Sequence, residues 1–173
     1  NSSLMSTTTG ANNVAIGNNA GYANSTGASN IAIGYQALRN KAAGSNNIAI
    51  GPNAIQTNGA GSSNIGIGLS ALYSNTTGSY NSFVGYQAGY NATSGAANTG
   101  IGQNALDGVQ TGSNNTAIGY KACSSVSGSN KTCLGTGSGQ STLPSGFTAS
   151  NTTAETIIGS GSGNIFLHAG NVY

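Results

Sequence analysis

The chain has 173 residues, with four basic and two acidic side chains, a net charge of +2 and 29 glycines. Four scattered cations do not make a nucleic-acid or membrane-surface patch, and no apolar run reaches the ~18 residues of a membrane span. Asn, Ser, Thr and Gly make up over half of the sequence, yet the apolar residues are strictly spaced, which disorder does not require.

Residues 1–12 read as a partial coil that continues an array. Gly10 precedes Asn13 as Gly27 precedes Asn30 and Gly44 precedes Asn47. The opening Asn1-Ser2-Ser3, with no initiator Met or signal-peptide pattern, reads as a processed chain or a piece of a longer one.

Residues 13–135 form the array. Asn30-Ile31-Ala32-Ile33-Gly34 returns as Asn47-Ile48-Ala49-Ile50-Gly51, and the aliphatic-Gly pair recurs at Ile16, Ile33, Ile50, Ile67, Val84, Ile101 and Ile118, always 17 residues on, with Leu134 following after 16. A fixed period of this kind marks a stack of supersecondary units that cannot fold singly. Position 1 of the unit is Asn until Lys131 replaces it. Position 3 is mostly small, position 4 always aliphatic and position 5 always Gly. Position 8 is Ala in every full coil, from Ala20 to Ala122, and a second Gly closes each coil, from Gly27 to Gly128.

Alternation over positions 1–5 predicts a short strand, and positions 8–10 a second one. The position-4 residues Ile16, Ile33, Ile50, Ile67, Val84, Ile101, Ile118 and Leu134 are the expected structural core. The position-5 Gly suits a turn of positive φ or a close backbone approach, and the polar remainder suits an outer turn. Stacking places each residue about 4.8 Å from its copy. A repeated charge would repel itself, whereas Asn, Ser and Thr can form ladders. Small residues at position 3 point either to a neighbouring subunit or to a thin coil interior. So thin a core makes oligomerisation an expected remedy.

Residues 136–155 read as a loop leaving the array. Residues 156–173 read as a hairpin, in which Thr156-Ile157-Ile158-Gly159 and Asn164-Ile165-Phe166-Leu167 flank a Ser/Gly turn. Phe166 is placed to cover the open end of the stack, where an unpaired edge would invite aggregation.

Tyr35, Tyr86 and Tyr120 share position 6, and Tyr22, Tyr73 and Tyr90 share position 10. Both sets would line up as stripes, offering sugars a stacking surface with hydroxyls at hand, or else packing against another subunit. Cys123 and Cys133 are either two small buried hydrophobes or a disulfide. His168 is the sole histidine and, with only Asp107 and Glu155 as acids, makes a poor metal site or catalytic group. No catalytic, cofactor-binding or metal site is expected, and no cofactor. The Ser/Gly runs lack the Gly-Lys-Ser/Thr of a phosphate loop. The seven Asn-X-Ser/Thr sequons match what so much Asn, Ser and Thr gives by chance.

Units such as Asn30-Ile31-Ala32-Ile33-Gly34 and Asn115-Thr116-Ala117-Ile118-Gly119, each followed by Ala, resemble the head repeat of YadA-like trimeric autotransporter adhesins. Similar repeats, in forms like Gly112-Ser113-Asn114-Asn115-Thr116-Ala117-Ile118-Gly119-Tyr120, look like segments of phage and virus tail fibres. The resemblance covers about 120 residues. It implies an all-β, left-handed parallel β-roll, three chains to a fibre, and adhesion to a cell or matrix surface. Two departures stand out: the coil of 17 is longer than is usual in the adhesin head, and no heptad stalk follows. A triangular left-handed β-helix is the rival fold, since Ile33-Gly34-Tyr35-Gln36-Ala37-Leu38 fits its hexapeptide, but only once per coil.

The expected function is therefore a structural and adhesive segment of an extracellular trimeric fibre, on a virion or a cell surface. Its partners would be its own copies and a surface glycan or protein receptor, with no nucleic acid and no membrane insertion. The alternative is a filament subunit stacked end to end. An ice-binding solenoid is more remote, because Thr holds position 2 only at Thr99, Thr116 and Thr132. No enzymatic activity is expected.

Overall fold

A computed structural model of the chain describes residues 9–23, 26–40, 43–57, 59–109, 111–125, 127–139, 155–159, 165–168 and 171–172. Each repeat supplies one three-residue strand: β1 (Val14–Ile16), β2 (Ile31–Ile33), β3 (Ile48–Ile50), β4 (Ile65–Ile67), β5 (Ser82–Val84), β6 (Thr99–Ile101) and β7 (Thr116–Ile118). β8 (Lys131–Leu134) follows. These stack in chain order as one parallel sheet. Val14 faces Ile31, Ile31 faces Ile48 and Ile48 faces Ile65, with no slip. The result is an all-β parallel solenoid of about seven turns, with no helix among the described residues.

The register is held by the Asn of position 1. Asn47 N–H donates to Asn30 Oδ1 at 2.9 Å, and Asn64 N–H to Asn47 Oδ1 at 2.9 Å. The same bond continues to Lys131 N–H, which donates to Asn115 Oδ1 at 2.9 Å. Each Asn amide also donates to the carbonyl of the Gly that closes its own coil, as Asn64 Nδ2 does to Gly78 O at 2.8 Å. These asparagines are almost fully buried from Asn30 to Asn115, so the bonds form where water cannot replace them. Lysine has donors but no acceptor, so Lys131 cannot hold a further coil in this way. Its register partner on the next strand is Glu155.

The interior differs from the expected one. Position 3 points inward, with Ala32, Ala49, Phe83, Ala117 and Cys133 buried. They meet the position-8 alanines and Leu38, Ile55, Leu72 and Leu106 of position 9. The position-4 aliphatics lie on the outer face: Ile16 is 59% exposed and Ile101 43%, with Val84, Ile118 and Leu134 also exposed. Ile33, Ile50 and Ile67 are only partly buried. The expectation that Ile16, Ile33, Ile50, Ile67, Val84, Ile101, Ile118 and Leu134 form the core is thus corrected. A strand sends alternate side chains to opposite faces, and the thin interior accepts only the small residue of the pair. A Cβ added to Gly66 would lie 2.6 Å from Ile55 Cγ1, so the small residues at position 3 answer to the opposite wall of the coil.

The expected second strand over positions 8–10 is a turn. Gln36 and Leu38 have φ of 55° and 50°, and Asn53 and Ile55 58° and 47°. Left-handed residues at every second position break the pleat, although hydrogen bonds still run from coil to coil, as from Leu38 N–H to Ala54 O at 3.0 Å. The position-5 Gly behaves as expected. Gly34 has φ 130°, and a Cβ there would sit 2.7 Å from the Gly51 carbonyl carbon.

The array also runs past Leu134. Residues 136–139, expected to leave it, form the same turn as their counterparts: Gly137 N–H donates to Tyr120 O at 2.8 Å, and Cys123 N–H to Ser138 O at 2.8 Å. Ser138 takes the Ala site, fully buried, with its Oγ donating to Gly135 O at 2.9 Å. β9 (Glu155–Ile158) then joins β8 in parallel, with Thr132 facing Thr156 and Leu134 facing Ile158. β10 (Ile165–His168) pairs antiparallel with β9, and β11 (Asn171–Val172) with β10. Most of the expected loop, the Ser/Gly turn of the hairpin and the side chains of Phe166 and His168 lie outside the described residues.

Candidate functional site

The outer face of the sheet carries two parallel rows. One is position 4, from Ile16 to Leu134 and on to Ile158. The other is position 2, from Val14 through Ile31, Ile48 and Ile65 to Ser82, Thr99, Thr116, Thr132 and Thr156. Strand spacing makes the face about 40 Å long from β1 to β9. Isolated surface aliphatics are ordinary, but an unbroken apolar row of this length marks an interaction surface.

Position 6 borders that face. Tyr35, Tyr86 and Tyr120 are exposed there, as are Pro52 and Leu69. Gln36 Nε2 donates to Tyr35 Oη at 2.8 Å, and Lys121 Nζ stands 5.4 Å from the centre of the Tyr120 ring. The position-10 tyrosines occupy the far end of the turn. Tyr73 and Tyr90 stack with centroids 4.9 Å apart and planes 10° from parallel, so each ring covers one face of the other. Tyr22, three coils from Tyr73, is half-buried and apart from that pair. The six tyrosines therefore do not make one stripe. Three flank the aliphatic face, two form a stacked pair and one stands alone.

Beside the pair, Asn91 Nδ2 donates to Asp107 Oδ1 at 3.0 Å. Burial raises the Asp107 carboxyl above its ordinary pKa, against the opposing effect of its bonds from Asn91.

Cys123 and Cys133 are joined by a disulfide with Cα atoms 5.7 Å apart. Both are buried. They stand at position 9 of one coil and position 3 of the next, where other coils hold Gly, Ala, Leu, Ile or Phe. Closing so short a loop contributes about 2–3 kcal/mol on the chain-entropy model. Cys123→Ala/Cys133→Ala is expected to lower stability by about that amount, measured by denaturant melts. Mass measurement without reductant is expected to find no free thiol, and two free thiols in the native protein would overturn the assignment.

Among the described residues no group of three or more His, Cys, Asp or Glu is placed to hold a metal ion. No described helix is long and apolar enough to cross a membrane.

One feature was missed by sequence reasoning. Tyr80 is 71% exposed at φ 60°, where most coils have Asn or Ser. Left-handed backbone is uncommon for a bulky side chain, and the only sequence signal is that exchange. Of the hydroxyl ladders expected along the stack, a serine ladder runs along the outer turns, where Ser45 N–H donates to Ser62 Oγ at 3.0 Å and Ser62 N–H to Ser79 Oγ at 3.1 Å. The recurrence of Ser after the closing Gly was its signal. No family model, curated protein or solved structure matches this chain.

Proposed function

We propose that the chain is a structural and adhesive segment of a homotrimeric fibre on a virion or cell surface, built of left-handed coils of 17 residues. One observation carries this reading: the aliphatic row Ile16–Ile33–Ile50–Ile67–Val84–Ile101–Ile118–Leu134 lies outside the coil, in register, along its whole length. Three chains packed through this face would bury it about a common axis and leave the outer turns to solvent. Those turns repeat at each coil, and repetition turns weak contacts with a surface glycan or protein into firm attachment. The buried disulfide is of the kind that persists outside reducing compartments. The filament reading is less favoured, because β9 already occupies the edge of β8 where a further coil would stack.

Native mass spectrometry and sedimentation test the assembly. The expected mass is three times 16.8 kDa, and replacing Ile33, Ile50 and Ile67 together by Asp is expected to yield monomer. A native chain that stays monomeric at high micromolar concentration would sink the reading.

A further inference from the structure

One of the two rows of the outer face changes character at one place while the other does not. Over β2, β3 and β4 every outward side chain is apolar: Ile31 and Ile33, Ile48 and Ile50, Ile65 and Ile67, with Tyr35, Pro52 and Leu69 alongside at position 6. From β5 onward position 4 stays aliphatic while position 2 becomes hydroxylic. Ile65 faces Ser82, Ser82 faces Thr99, Thr99 faces Thr116 and Thr116 faces Thr132. Thr156 then continues the row from β9, across the break in the repeat. The backbone does not change with it, since every strand from β1 to β9 keeps the same parallel pairing and position 3 stays on the inner face. Strand propensity does not account for the change either, because Ile and Thr both suit a strand.

We infer that the face is a two-zone contact for further copies of this chain: a dry aliphatic clamp over β2–β4, and a water-bearing zone over β5–β9 where rows of Ser82, Thr99, Thr116, Thr132 and Thr156 hydroxyls from each chain face one another. This rests on the homotrimer proposed above. A second copy is the occupant because the face is self-matching. Chains set side by side in register place isoleucine against isoleucine and threonine against threonine at every level, and no other partner needs its change of character at the same height. A hydroxyl withdrawn from water without a partner is costly, whereas facing hydroxyls can share bridging waters at little loss. The clamp therefore supplies the affinity and the hydroxyl zone the alignment. A copy shifted along the axis, or laid antiparallel, would set Thr99 or Thr116 against Ile48 or Ile50.

Two triple variants of the full chain test this by native mass spectrometry over a dilution series. I31T/I48T/I65T keeps strand-forming residues but is expected to raise the concentration at which the trimer dissociates by about a hundredfold or more. T99V/T116V/T132V is expected to leave that concentration within about threefold, or to lower it. It is also expected to let mixed-register or antiparallel pairs form, seen as new cross-links between I50C of one chain and I118C of another. Circular dichroism melts of each variant check that the solenoid is intact. If the Thr variant dissociates as readily as the Ile variant, or the Ile variant not at all, the two-zone inference fails while the trimer stands. A native monomer overturns both.

Discussion

Asn64→Ala is expected to destabilise the protein by about 1–3 kcal/mol, because it orphans one buried backbone N–H and removes one of the two amides that donate to the Gly78 carbonyl. Asn64 is fully buried. Its Oδ1 accepts Asn81 N–H at 3.0 Å, and its Nδ2 donates to Gly78 O at 2.8 Å. Alanine keeps the backbone bond to Asn47 Oδ1 but leaves the buried Asn81 N–H without its acceptor, while Gly78 O keeps only the bond from Asn75 Nδ2 at 2.9 Å. Asn64→Asp is expected to be no better. It keeps the acceptor, loses the donor to Gly78 and places a carboxylate where no cation is at hand. Asn46→Gly is the contrasting substitution. Asn46 is exposed at φ 59°, a conformation glycine adopts without cost, so its midpoint in a urea melt is expected to move little. Equal shifts for Asn64→Ala and Asn46→Gly would show that the ladder contributes nothing beyond turn geometry.

Asn64 also shows what the sequence could disclose. An Asn kept at one position through seven coils, in a nearly uncharged chain, has few physical explanations, and a hydrogen-bonded ladder is the simplest. The closing Gly was legible for the same reason, since a residue without alternatives repeats without variation. What misled was Ile33. Constant aliphatic character reads as core, yet it follows equally from a constant demand on an outer face, and the invariance of a row does not say which side faces in. The inward residue is marked instead by compensation. Position 3 varies in size between Gly66, Phe83 and Ala117, because it must fit what the opposite wall supplies. The turn over positions 8–10 was hidden in the same manner. Left-handed residues at Gln36 and Leu38 reproduce the in–out alternation of a strand, and neither residue type announces positive φ. The tyrosines divided for a third reason: their common positions were visible, but the separation between coils, and the stacking of Tyr73 on Tyr90 alone, depend on which coils lack an aromatic in between.

Phe83→Ala is expected to cost about 3–5 kcal/mol, the range for emptying a buried phenylalanine site, and the surrounding glycines allow a sharper test than the loss itself. Phe83 fills position 3 where other coils have Ala, Gly or Cys. Its ring takes the space left by Gly89, at position 9 of the same coil, and by Gly100, at position 3 of the next. A Cβ on either glycine would come within 2.5 Å of Phe83 Cδ1. Most other full coils solve the same packing problem from the opposite wall, with Ala or Gly at position 3 and Leu or Ile at position 9, as in Ala32 with Leu38, Ala49 with Ile55 and Gly66 with Leu72. Gly89→Leu in the native chain is therefore expected to be strongly destabilising, since the new side chain and the Phe83 ring claim one volume. In Phe83→Ala the same substitution should fill the cavity and recover most of the lost stability. Backbone strain does not stand in the way, because Gly89 has φ 60° and leucine already adopts φ 50° at Leu38 and 52° at Leu72. A double-mutant cycle read by urea denaturation is expected to give a favourable coupling at or above the ~3 kcal/mol upper end for residues in contact. Additive losses would mean that the coil collapses around the missing ring, so that the two walls do not share one volume.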